Sequence, residues 1–364
     1  MSEITKEIIE SILADFTLPY LETDPVSGGM VKDISINGEL IKVELELGMP
    51  IEGIQHDISE ELVSRIKHQT SAADVLVNLT SKINSHAVQK NVSALKGVKN
   101  VIAVGSGKGG VGKSTVSVNL ALALKEEGAK VGIMDADIYG PSQPTMLGCQ
   151  GKAASNDGKS LEPMEAYGIQ CISMGHMIDS EDTPVVWRGP MATSALTQLL
   201  NDSNWNDLDY LIIDLPPGTG DIQLTLCQNI PVTGAVIVTT PQDISLIDAN
   251  KALKMFEKVS VSVLGVVENM STHICSNCGH EEAIFGSGGG ERMSDSYGIP
   301  LLGQIPLAIE IREGVDQGEP TVSSDPESPI TDTFREIARQ VAAEISTKPK
   351  NFSAKMPKIV IENK

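Results

Sequence analysis

Residues Gly105–Thr115 read GSGKGGVGKST and directly follow the apolar stretch NVIAV. Five glycines and two lysines in eleven residues suit a loop that turns backbone N–H groups onto an anion at the start of a helix. Two registers compete. Read from Gly105, GSGKGG fits the G-x-G-x-x-G fingerprint of dinucleotide sites; read from Gly107, GKGGVGKS fits the G-x-x-x-x-G-K-[ST] loop of nucleoside triphosphatases. The first register asks for an acidic residue about 20 positions on, and Asp135 or Asp137 meets it, so spacing does not choose. Lys113-Ser114 does. A dinucleotide loop packs a small or apolar residue there, whereas a triphosphate needs an ammonium on its outer phosphates and a hydroxyl on Mg²⁺. The expectation is that Gly105, Gly107, Gly109, Gly110, Val111, Gly112, Lys113, Ser114 and Thr115 hold a nucleoside triphosphate, with Ser114 on the metal.

A second acidic position agrees. YLIIDLPPG is an apolar strand ending in Asp214, the layout of a carboxylate that holds Mg²⁺ through water. Gly218 follows where the backbone must approach a γ-phosphate. Asp135 and Asp137 end another strand, one suited to a structural role and the other to orienting the attacking water. Lys108 is surplus to an ordinary loop. A second cation suits the nucleotide of a neighbouring subunit, where charge builds during phosphoryl transfer; a solvated loop lysine is the plain alternative.

From VIAV onward, short apolar runs alternate with helical segments: KVGIMD, IQCISM, YLIIDLP, AVIVTT, VLGVVEN and LLGQIP. Continuous apolar strands of this kind belong in a parallel sheet covered on both faces. Some seven strands are expected between residues 99 and 306, in a domain of residues 99–345 closed by the helix in DPESPITDTFREIARQVAAEIS. The first 80 residues read as a separate small α/β domain. Its helix carries Ile4, Ile8, Ile12 and Phe16 at helical spacing with Ser2 as cap, and its hairpin turns at Asn37-Gly38. A second helix capped by Asp57 and a third strand, VLVNLT, follow. His56 stands alone there as a solvated residue. Residues 81–98 read as a linker and 346–364 as a tail.

The formal charge of −20 repels phosphate backbones and anionic lipid, so neither nucleic acid nor membrane is expected as a partner. The lysines at 348, 350, 355 and 358 are broken up by Pro349 and Pro357. The opening MSEITKEIIESILADF is charged and helical rather than a leader, which points to the cytoplasm and reduced thiols. Of five cysteines, Cys149, Cys171 and Cys227 are scattered, the last two in apolar stretches that suit burial. Cys275 and Cys278 form a C-x-x-C pair in HICSNCGH. One pair is half of a four-ligand site. It could meet its twin across a dimer axis, recruit His273 and His280 for Zn²⁺, or be a redox or inert turn. The glycines of FGSGGGERM suggest a mobile loop beyond it.

Taken together, KGGVGKST with its early lysine, DADIYGPS, DLPPGTGD and VENMS resemble the Mrp/ApbC group of deviant-Walker-A ATPases, relatives of MinD, ParA and the nitrogenase iron protein. The likeness covers roughly residues 95–345; residues 1–80 resemble the small PaaD-like domain of iron–sulfur assembly proteins. That half has no cysteine, and no metal chemistry is assigned to it. The resemblance implies a P-loop fold and a face-to-face homodimer with two ATP·Mg²⁺ between its subunits. Lys108 would act across the dimer, Lys113 on the phosphates, Asp137 on water in the first switch and Asp214 in the second, while Asn269 would read adenine. It further implies a [4Fe–4S] cluster held by Cys275 and Cys278 of both copies for delivery to apo-proteins, and ATP hydrolysis is expected to be slow because a carrier needs a switch rather than flux. WRGPM, with Arg188, matches the family as well. The rivals are a ParA/MinD-like positioning switch, which has no use for the cysteine pair, and a zinc-stabilised regulatory NTPase.

Overall fold

A computed structural model describes residues 4–89, 92–177, 189–275 and 277–351. Ser2, Arg188 and the lysines at 355 and 358 lie outside them. The small N-terminal unit runs α1 (Lys6–Ala14), β1 (Val31–Asn37), β2 (Leu40–Leu47), α2 (Gln55–Gln69) and β3 (Asp74–Ser81). The hairpin pairs Asn37 with Leu40, so its loop is Gly38-Glu39, one residue later than expected, with Gly38 at φ 64°. β3 joins β2 in parallel, and α2 is the crossover between them. Ile58, Leu62 and Ile66 recur one turn apart on α2 and are buried. Asp57 does not cap this helix: Ile54 occupies that position, and Asp57 sits in the first turn, where its charge still faces the positive end of the helix.

The larger unit continues β4 (Val98–Gly105), α3 (Lys113–Glu126), β5 (Val131–Asp135), α4 (Gln143–Met146), β6 (Met164–Ala166), β7 (Ile169–Ser173), α5 (Gly189–Asp202), β8 (Leu208–Asp214), α6 (Asp221–Asn229) and β9 (Gly234–Thr239). It then runs α7 (Asp243–Lys258), β10 (Val263–Ile274), β11 (Glu281–Glu282), α8 (Gly289–Tyr297), β12 (Leu301–Leu307), α9 (Ile309–Gln317), α10 (Thr321–Ser324) and α11 (Pro329–Ser346). The sheet order is β11-β10-β9-β4-β8-β5-β7-β6, with β12 also on β10. All pairings are parallel except β6 with β7 and β10 with β11, two short edge hairpins the apolar runs did not announce. Ser328 caps α11 through its hydroxyl, which accepts from the Thr331 N–H at 3.2 Å.

Every residue from Val116 to Leu124 of α3 is buried, because the helix lies between the sheet and α11. One apolar core runs from the small unit through this layer: Leu47, Leu122 and Val341 belong to the same cluster. Glu127, just past α3, locks the three parts together. Its carboxylate accepts from Arg339 of α11 at 2.6 and 2.9 Å and from the Gly53 N–H at 3.1 Å, while its carbonyl accepts from the Glu52 N–H. The 81–98 stretch is pinned as well: the Gln89 side chain bridges the Cys227 carbonyl and the Val232 N–H, and His86 is buried against Asn100.

Candidate nucleotide site and cysteine hairpin

In this sheet β4, β5 and β8 are neighbours, and their C-terminal ends deliver Gly105, Asp135 and Asp214 to one place. Open parallel sheets bind ligands at that edge. The loop between β4 and α3 needs its glycines for two separate reasons. Gly110 and Gly112 have φ near +80°, a region that costs an L-side chain. A Cβ on Gly107 would lie 2.0 Å from the Asp248 backbone of α7, and one on Gly112 would lie 2.2 Å from the Asn269 amide.

Beneath the loop the Lys113 ammonium pairs with the Asp214 carboxylate, both buried. Ser117 donates to the same oxygen at 2.8 Å, and the Gln143 amide donates to the other at 3.0 Å. Lys113 also reaches the Ser114 hydroxyl at 3.2 Å. The two carboxylates of DADIYGPS separate cleanly. Asp135 is buried and accepts from the N–H groups of Asp137, Ser142 and Gln143 and from the Ser173 hydroxyl, which makes it the anchor of the loop. Burial, then the charge of Asp214, pushes its carboxyl up to about 7. Asp137 is only half-buried and is held by the N–H groups of Tyr139 and Gly140 at 3.3 Å; burial raises it too. Asp137 also lines a cleft with Tyr139 and Pro217.

Gly218 is at φ 99° and donates its N–H to the Ser106 carbonyl, joining the loop after β8 to the phosphate loop. Lys108 lies half-buried on that loop, and among the described residues no carboxylate lies within ion-pair reach of its ammonium. Asn269 donates from its amide to the Val111 carbonyl at 2.9 Å, so its nitrogen braces the loop. Sequence reading missed Ser117 and Gln143. Neither belongs to a spacing motif, and only the fold brings them to Asp214.

β10 carries Asn269 and five residues later ends at Ile274. There it turns back as a hairpin, with His273 opposite Glu282 and Ile274 opposite Glu281. Cys275 and Cys278 occupy the turn, which closes through Gly279, at φ 70°, donating to the Cys275 carbonyl. Cys275 is half-buried and Cys278 exposed. The N–H groups of Asn277 and Cys278 draw the Cys275 thiol below the ordinary thiol range. Among the described residues neither His273 nor His280 joins the pair as a third ligand, and His273 instead donates from Nδ1 to the Leu307 carbonyl.

Two expectations need correcting. The glycine-rich stretch is not a loop throughout: Gly289 and Gly290 open α8 and are buried, where a Cβ would meet Pro241 and Glu268. The buried Glu268 carboxylate accepts from the Gly290 N–H and from Gln304. Nor are all three remaining cysteines scattered. Cys171 and Cys227 are buried as expected, but Cys149 and Cys171 meet each other and His176. Their shared hydrogen bond lowers Cys149 and raises Cys171.

A glycine-rich loop after a central strand, with its lysine over a strand-end aspartate, defines a P-loop ATPase. Residues 97–342 match the family described as NUBPL iron-transfer P-loop NTPase, and residues 6–81 match an iron–sulfur cluster assembly protein family. The iron–sulfur cluster carrier protein of Escherichia coli K12 is 50% identical over 344 residues, 94% of this chain and 93% of that one. That of Synechocystis is 45% identical over 348 residues, 94% and 98% respectively. A nucleotide-binding protein from Archaeoglobus fulgidus, solved with ADP, superposes with a TM-score of 0.56 at 37% identity over 65% of this chain and 93% of that one. Pyrococcus furiosus MinD shares the fold at a TM-score of 0.50 and 24% identity, over 66% and 98%. The chain belongs to the iron–sulfur cluster carrier family of P-loop ATPases. Among the described residues no helix is long and apolar enough to cross a membrane.

Proposed function

We propose that this chain is an ATP-dependent carrier in which two copies share one [4Fe–4S] cluster through Cys275 and Cys278 and pass it to apo-proteins. The observation that carries the reading is the course of β10. One strand touches the phosphate loop through Asn269 and presents two accessible thiols at its end. A pair of copies supplies the four thiolates a cubane needs. The apolar side chains of Tyr139, Ile244 and Ile247 are exposed, the first beside Asp137 and the other two on α7, which packs on Gly107. Such residues suit a second copy placed face to face across the nucleotides.

In this reading Lys113 holds the phosphates and shares its charge with Asp214, which reaches Mg²⁺ through water, while Ser114 binds the metal directly. Asp137 orients the attacking water and Lys108 reaches the partner's nucleotide. The oxygen of the Asn269 amide reads adenine while its nitrogen stays on Val111. Hydrolysis is slow because the nucleotide acts as a switch, and the compartment is the cytoplasm. Anaerobic reconstitution with iron and sulfide tests the cargo. Wild type should take up about four iron atoms per two chains, and Cys275→Ala/Cys278→Ala protein should take up none at that stoichiometry. Equal loading of both proteins would refute the reading.

A further inference from the structure

The buried trio Cys149, Cys171 and His176 has no part in the scheme above. The sheet order sets it apart: Cys171 lies on β7 near one edge, the hairpin thiols lie beyond β10 at the other, and β9, β4, β8 and β5 stand between. Each of the three side chains offers one ligand atom, and those atoms all lie within 4.8 Å of one another. Cys171 is fully buried and His176 is 1% exposed.

The histidine is oriented in a telling way. Its Nε2 lies 3.0 Å from the Cys149 carbonyl. A carbonyl only accepts, so Nε2 donates to it, which leaves Nδ1 as the ring nitrogen that can face a ligand. That Nδ1 is buried and has no hydrogen-bond partner. An unpartnered polar nitrogen in the interior is costly. Metal-binding imidazoles are commonly set up in this way, with one nitrogen fixed by a backbone carbonyl and the other left to ligate.

We propose that Cys149, Cys171 and His176 bind a thiophilic divalent cation, Zn²⁺ being the probe of choice. Two thiolates and one imidazole select Zn²⁺ over Mg²⁺ by softness. Two thiolates also neutralise a divalent ion, and three protein ligands leave its fourth tetrahedral position to a water. Metal–ligand bonds of about 2.0–2.3 Å place three ligand atoms at separations inside the observed envelope. The site joins β7 to the segment just after α4, the helix whose Gln143 touches both Asp135 and Asp214. A bound ion therefore clamps the segment that braces the nucleotide carboxylates.

The test uses the full chain carrying Cys275→Ala and Cys278→Ala, kept reduced and stripped with chelator, so that the hairpin cannot bind. Titration of Zn²⁺ against a chromophoric chelator should give one equivalent per chain, and Co²⁺ should give a thiolate charge-transfer band. Adding Cys171→Ala or His176→Ala should weaken zinc by at least the roughly 10–100-fold that loss of an outer-shell partner costs. Zinc-edge X-ray absorption on the chain with its buried trio intact needs no core substitution. It should show two sulfurs and one nitrogen. Absence of stoichiometric zinc, affinity unchanged by Cys171→Ala, or a shell of oxygen and nitrogen alone would each overturn the proposal.

Discussion

The phosphate loop, which β10 touches through Asn269, and the cysteine hairpin at the end of that strand are built in opposite ways. Beneath the loop the buried charges have partners inside the chain: Lys113 with Asp214, Asp214 with Ser117 and Gln143, Asp135 with three N–H groups. At the hairpin two thiols stand at the surface with no third ligand among the described residues. On the proposed reading this difference reflects where each site gets its remaining ligands. A site finished within the chain is rigid before anything binds. On the proposed reading the exposed hairpin is a half-site, and a second copy of the chain completes it.

Substitutions should separate the two regions by size of effect. Lys113→Met leaves Asp214 buried without its counter-ion, which typically costs about 3–5 kcal/mol; urea unfolding should show that loss together with loss of nucleotide binding. Gly112→Ala forces a side chain into positive φ and against Asn269. It should cost about 1–3 kcal/mol and weaken a fluorescent ATP analogue in titration. Asn269→Ala removes one hydrogen bond to the loop, worth about 1 kcal/mol, and should weaken the same analogue less than Gly112→Ala does. Cys275→Ser with Cys278→Ser should leave unfolding within about 0.5 kcal/mol of wild type while iron uptake collapses. A hairpin substitution that destabilised the chain as strongly as Lys113→Met would erase the contrast.

The phosphate loop was legible because its chemistry is local: glycines, lysine and hydroxyl sit in one register, and the strand before them is apolar. The sheet's parallel core was legible for the same reason. What lay hidden was assembled over distance. Gln143 reaches Asp214 from 71 residues away and Ser117 from 97, and no spacing rule connects them. Cys149, Cys171 and His176 come from the segment after a turn, the middle of a strand and a short helical turn, each ordinary by itself. Gly289 and Gly290 suggested looseness, yet they are small because Pro241 and Glu268 press against them. Asp57 lost its capping position because the helix begins earlier, at Gln55.

Native mass measurement of the anaerobically reconstituted protein with ATP bears on the central claim most directly. The account predicts a species of two chains carrying a single four-iron, four-sulfide cluster, and loss of that cluster when Cys278 is replaced by alanine. A single chain that keeps a complete cluster of its own would contradict it.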